Sequence, residues 1–521
     1  MLPRLLRWTG DSINLEDGAY AQNALLIARG YRPYLDFTQV AFPFAEQFLA
    51  LLVRAFGPRI RLIEATTLAL NLLTALLLFR AGTVLAGRRC GAVAAVLWSW
   101  SPWVAFYSNF ERETPALIGV MTALVIALRP EPLRGRRLLL VAGALLFACL
   151  MKITLIMAAL ALVAHRLLCG RWREALALLA LFLGGLALAT FACWLVWGQP
   201  FLEQVWLYGV FRGRVVSAGG ALGMVLNFLD PLSAAGFVGL ILVGIPGLRR
   251  PVGAVALVLL FDLLFYSVVS PTFWAHNVLV LLPSLALLAG ACAAQATRWR
   301  AAGRVLACGL FVLFAVWPTA ESVAAAVREG LDPTAPAHVR AWGEPRAEIL
   351  QMADFIERHS GPDDVVESTS SWATFEAGRL KFVRDWDLQS IAQGLHASLA
   401  ADGLRATMAK IDGPAPLGAG QPGNPPTHPP KVWTNTEGGG LMAGYALRLL
   451  ANDVIYVRPA YLQALARREI ALVMEPLPAG VIEAKDLREA GYELVSEGFV
   501  AGWRPKDGPA PPRRLPPLFE R

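Results

Sequence analysis

Two carboxylates stand side by side at Glu16 and Asp17, Asp36 and Glu46 follow, and Glu111 and Glu113 flank Arg112 in the short segment SNFERET. A carboxylate beside a low-dielectric boundary gains basicity by desolvation, which suits removal of a proton from a hydroxyl. Paired acids also suit a divalent metal. Taken singly, each acid reads as a solvated loop residue, and Glu16 or Asp17 as an N-cap for GAYAQNALLIARG. Taken together, Glu16, Asp17 and Glu113 favour the chemical reading. Cations complement them: Arg112 itself, Lys152 between ACLM and ITLIM, His276 opening WAHNVLVLLPSLALLAG, and Arg212 and Arg214 in one long connection. A lysine with apolar flanks is costly at membrane depth and marks function by default, the alternative being snorkelling to the interface. His276 alone would be an ordinary interfacial histidine. As a set, these cations could hold an anionic phosphate.

The elements that position these groups are membrane helices. Of 521 residues 56% are hydrophobic and only 17% charged, against roughly 25% charged in a soluble domain, and the mean hydropathy is +0.50. A bilayer core of about 30 Å needs about 20 apolar residues per helix. The sequence predicts spans near 62–80, 90–107, 115–129, 138–151, 153–168, 174–197, 231–248, 252–270, 274–294 and 302–319. Two of these, 138–151 and 153–168, are short enough to form a bent or re-entrant pair around Lys152. The expected fold is thus a polytopic α-helical membrane protein of about ten spans. Residues 1–60 form a leading loop with amphipathic helices and the acidic motif, 61–320 the membrane domain, and 321–521 a soluble α/β domain.

Alternate connections are rich in arginine: Arg80, Arg88 and Arg89; Arg129, Arg134, Arg136 and Arg137; Arg166, Arg171 and Arg173; Arg249 and Arg250; Arg298, Arg300 and Arg304. By the positive-inside rule these loops are cytoplasmic. Residues 1–60, the poor loops and the C-terminal domain then face outside, on one membrane surface. The net charge of +8 is an orientation signal dispersed over short loops, which argues against a nucleic-acid partner. All six cysteines lie in or beside apolar runs, so disulfides and CxxC sites are not expected, and no His/Cys ligand cluster is present. A transporter or lipid flippase is the rival reading, since it too would bury a charge such as Lys152. It calls for an internal repeat and mid-membrane charges, whereas here the acids gather in outer loops.

In the soluble part, EPRAEILQMADFIERH reads as a helix, and DDVVEST, NDVIYV and REIALVMEP as short strands. The Pro/Gly-rich stretch at 413–430 reads as a long loop. The domain suits an acceptor-recognition or lid role.

EDGAYAQNALLIARGYRPYLDF, followed by AFPFAEQFLALLVRAFG, resembles the first outer loop of the C-type (GT-C) membrane glycosyltransferases, in the branch of protein O-mannosyltransferases and bacterial aminoarabinose transferases. ERETPALIGVMTALVIAL is similar to that family's second acidic position at the head of a span, CLMKITLIMAAL to its lysine between short helices, and FWAHNVLVLLPSLALLAG to its late proline-containing span. ILQMADFIERHSGPDDVVESTSSWATFEAGR resembles the start of its outer domain, so the likeness covers most of residues 14–380. Three departures stand out. The acid pair is reversed; FTQVAFPF has Gln39, Ala41 and a single Pro43 where a lysine before paired prolines is expected; and the family's first membrane helix is missing, so that either a first helix has been lost through a late start site or insertion is unusual.

The resemblance implies a polyprenyl-phosphate-linked sugar as donor, a glycan, lipid or protein hydroxyl as acceptor, transfer with inversion, and residence in the bacterial inner membrane with the C-terminal domain extracytoplasmic. Asp17, assisted by Glu16, would deprotonate or orient the acceptor, and Glu113 would help shape the same catalytic site. Substrate contacts would fall to Tyr34 and Asp36 of the Pro-Tyr-x-Asp element, to Glu111, and to Arg112, Lys152, His276, Arg212 and Arg214. No cofactor is required, although the acid pair permits a divalent metal.

Overall fold

The computed structural model describes residues 12–101, 110–207, 249–269, 277–296, 343–382, 458–475 and 482–509, with a few isolated positions besides. His276, Arg212, Arg214, the expected spans at 231–248 and 302–319, the strand NDVIYV and the loop 413–430 lie outside them, as do the side chains of Glu16 and Asp17. The chain divides into two compact units: Met1–Asn14, Ile63–Phe191 and Val216–Ala341 form one, and Leu15–Leu62, Ala192–Val215 and Trp342–Arg521 the other.

The first unit is helical. Its elements are α3 (Ile60–Ala86, whose first turn belongs to the other unit), α4 (Arg88–Trp100), α5 (Glu113–Ala127), α6 (Gly135–Met151), α7 (Ile156–Leu168), most of α8 (Trp172–Trp197), α9 (Arg249–Leu264) and α10 (Val278–Ala296). Among the described residues, four helices are long and apolar enough to cross a membrane: Ile60–Ala86, Trp172–Trp197, Arg250–Ser267 and Val278–Ala296. Glu113–Ala127 and Ile153–Leu168 are apolar but shorter.

Glycine sets how closely these helices approach, as small residues do where lipid supplies no hydrophobic drive. A Cβ on Gly119 of α5 would lie 2.4 Å from the Ala144 carbonyl oxygen of α6, and one on Gly290 of α10 would lie 2.6 Å from the Cys90 oxygen of α4. Exposure separates the spans. In its most apolar stretch α10 is 89% buried, whereas α8 is only 22% buried and exposes Leu181, Leu183, Leu188, Phe191 and Trp194.

The second unit joins α1 (Leu15–Ala28) and α2 (Phe44–Phe56) to the C-terminal α/β residues. In α2, Leu49, Ala50 and Val53 are buried while Leu51 and Phe56 are exposed. Five strands, β1 (Val365–Glu367), β2 (Leu380–Lys381), β3 (Leu472–Met474), β4 (Tyr492–Glu497) and β5 (Val500–Pro505), form one sheet in the order β2-β1-β3-β5-β4. β1 runs parallel to both β2 and β3; β5 is antiparallel to β3 and β4. The strands read from DDVVEST and REIALVMEP are β1 and β3, and the expected helix is α11 (Arg346–His359). The β4–β5 hairpin was not read, although its two-residue loop puts Gly498 at positive φ (63°) at the first loop position, which a tight hairpin favours. α12 (Ser371–Glu376) connects β1 to β2, capped where Ser370 Oγ accepts from the Ala373 amide at 3.2 Å.

Candidate active site

Three helix ends meet in the helical unit. α5 opens at Glu113, where a carboxylate complements the helix dipole and Pro115, in the first turn, forfeits no intrahelical bond. α6 ends where Lys152 turns extended (φ −144°, ψ 112°), and a short 3₁₀ turn, Ile153–Leu155, leads into α7. The bent pair expected around Lys152 is therefore present. Asn277 directly precedes α10. Lys152 Nζ is bonded to Glu113 Oε1 and donates to Asn277 Oδ1 at 3.3 Å. The Glu113 side chain is fully buried and that of Lys152 is 15% exposed.

Such a pair persists at depth because each charge answers the other; either alone would be penalised by several kcal/mol. Around it, Thr154 Oγ1 and Tyr266 Oη lie 3.2 Å apart, and Tyr266 is within electrostatic reach of Glu113 and Asp262. Glu111 and Arg112, just ahead of α5, are buried as well.

Sequence reasoning named Glu113 and Lys152 but missed Asn277, Tyr266, Thr154 and Asp262. Asp262 carried a signal: a lone carboxylate inside an 18-residue apolar span. It is 1% exposed, and its Oδ1 finds no hydrogen-bond partner among the described residues.

The second unit holds the other candidates. Glu16 and Asp17 fall by backbone in the first turn of α1. Asp36 is engaged by Arg32: Oδ2 accepts from the Arg32 backbone amide at 2.7 Å and from Nε at 3.2 Å, and Oδ1 from Nη2 at 3.0 Å. That contact raises the pKa of the Arg32 guanidinium above its ordinary value. Tyr34 takes a left-handed conformation (φ 66°), uncommon for a bulky residue and a mark of backbone held in place by its surroundings. Its hydroxyl donates to the Ala41 carbonyl at 2.5 Å, and its ring packs edge-on against Trp197 and Phe201 with centroids 5.4 and 5.2 Å away. Gln39, at the departure from the family's lysine, donates through Nε2 to Glu46 Oε2 at 2.8 Å, while its amide donates to Gln204 Oε1 at 2.9 Å. Among the described residues no three His, Cys, Asp or Glu side chains are grouped as a metal would need.

No protein-family model matches the chain, and no curated protein does. Among solved structures it is similar to ArnT from Cupriavidus metallidurans bound to undecaprenyl phosphate, with a TM-score of 0.53 at 15% identity over 73% of this chain and 83% of that one. Apo ArnT from the same organism gives a TM-score of 0.47 at 16% identity, over 71% and 80%. At such identity the likeness to the first concerns fold, and the fold is the ArnT-like, C-type membrane glycosyltransferase fold expected above.

Proposed function

We propose that this ArnT-like chain is an inner-membrane glycosyltransferase, moving a sugar from a polyprenyl-phosphate-linked donor to an acceptor hydroxyl at the outer face, with inversion. The carrying observation is the buried Lys152–Glu113 pair with Asn277 at the convergence of three helix ends. A cation kept at membrane depth suits the phosphate of a lipid carrier, and the undecaprenyl phosphate bound to ArnT supports a carrier of that class.

The reaction is one displacement. The acceptor oxygen attacks the anomeric carbon, the bond from that carbon to the phosphate oxygen breaks, and the acceptor proton passes to Asp17, with Glu16 assisting. Negative charge builds on the departing phosphate. Lys152, with Arg112 and His276, stabilises that charge, a contribution of about 3–4 kcal/mol when a fixed donor acts in a water-poor site. Glu113 holds Lys152 in place for the phosphate. Asp36, Tyr34, Glu111, Arg212 and Arg214 complete the substrate-binding set, and a divalent metal at the acid pair is compatible with this scheme without being a part of it.

Lipid extracts of a deletion strain and its parent test the reading. The deletion strain is expected to accumulate a polyprenyl-phosphate sugar, relieved by the wild-type chain but not by Asp17→Asn or Glu16→Gln. Absence of accumulation would overturn the function; full relief by both variants would overturn the assignment of the base.

A further inference from the structure

The helix that bears the acid pair is bound to the C-terminal domain more firmly than a loop motif needs. At Gly18, the residue after Asp17, an added Cβ would lie 3.0 Å from Trp372 Cδ1 and 3.1 Å from Ser371 Cβ, so α1 and α12 touch almost backbone to side chain. One turn on, Gln22 Nε2 donates to Thr374 Oγ1 at 2.6 Å and to the Arg379 carbonyl at 3.2 Å. Gln22, Trp372 and Thr374 are all buried.

At the far end of α1, Arg29 bonds Asp363 Oδ1 at 2.9 Å and the Gly378 carbonyl at 3.2 Å. The leading segment is tied again where it ends: Glu376 Oε2 accepts from the Ile60 amide at 2.6 Å. The receiving side is itself braced, since Arg379 donates to Ser360 Oγ at 3.1 Å and to the Ser360 carbonyl at 2.9 Å.

We infer that α12 and the turn after it are the mount that positions Glu16 and Asp17, with Gln22 and Thr374 as positioning residues. The inference rests on the proposed reaction for its catalytic consequence, but the mount has a physical signature of its own. A buried amide donor that loses its acceptor is penalised, and a modest misplacement of a reacting group slows chemistry far more than it weakens binding. The C-terminal domain is then a fixed part of the catalytic apparatus, and the acids keep their place only while α12 is intact.

The test uses the full chain in detergent or nanodiscs. Thr374→Val and Gln22→Leu are expected to lower kcat for transfer by about 10- to 100-fold with KM changed by less than about twofold, whereas Thr374→Ser stays near wild type. Hydrogen exchange gives a readout independent of activity: amides of residues 18–28 lose protection in Thr374→Val and Gln22→Leu while those of β3 keep theirs. Gln22→Leu leaves the contacts within the α/β residues untouched, so loss of β3 protection in both variants would mean general unfolding and overturn the mount. Wild-type kcat and unchanged exchange in both would overturn it as well. A wild-type chain without transferase activity would defeat the proposed function alone, with the exchange data still judging the mount.

Discussion

Lys152 and Glu113 come from positions 39 residues apart and neutralise one another in a unit of apolar helices. Removing one charge strands the other at a cost of about 3–5 kcal/mol, while replacing both by neutral groups of similar size costs far less. Lys152→Met is therefore expected to lower the thermal midpoint of the purified protein clearly. Lys152→Met combined with Glu113→Gln should recover most of that midpoint while transfer stays abolished. Thermal scans in detergent read the first effect and donor turnover the second; a single variant as stable as wild type would refute the pairing. Each partner was legible in the sequence, Lys152 by its apolar flanks and Glu113 by its place at the head of a span. The bond between them was not, because nothing in a linear chain fixes which helix ends converge. Asp262 stayed hidden for another reason: one carboxylate hardly alters the average hydropathy of its run.

At the scale of elements, glycine separates helix contacts that are tight from those that are loose. A methyl group at Gly119 or Gly290 meets a backbone carbonyl that has no rotamer in which to retreat. Gly119→Ala and Gly290→Ala should each destabilise by about 1–3 kcal/mol, the usual cost of overpacking. Gly143 in α6 and Gly184 in α8 have nothing within 4 Å of an added Cβ, so alanine there should be neutral or mildly stabilising. Thermal stability of the four variants checks the ordering. The helices were readable because apolar runs are long signals, and the break at Lys152 because charge interrupts one. The sheet was only half readable. β1 and β3 are buried apolar runs, but β4 alternates in burial and β2 has only two residues, too short for any periodicity.

For the whole molecule, sequence bears most directly on sidedness, since arginine placement reflects insertion and not packing. In a cysteine-free background, a membrane-impermeant maleimide added to spheroplasts should label Asp507→Cys and spare Glu131→Cys until the membrane is broken. Both side chains are well exposed, at 73% and 60%, and the reverse labelling would invert the orientation. What no local reading could reveal is that α1 and the C-terminal residues form one compact unit. Their bonds join positions more than 300 apart, as Gln22 to Thr374 does, and such partners leave no trace in periodicity or composition.

The contrast between α8 and α10 bears on the bilayer itself. α10 is shielded on nearly all sides, so lipid has little hold on it. α8, with 26 residues, is about 39 Å long by helical rise, exceeds a hydrocarbon core of about 30 Å, and offers its side chains to lipid along its length. A helix longer than its membrane relieves the mismatch by tilting. Its last residue is Trp197, whose ring rests on Tyr34, two positions before Asp36. The tilt of α8 is therefore expected to follow acyl-chain length, steepest in the thinnest bilayer.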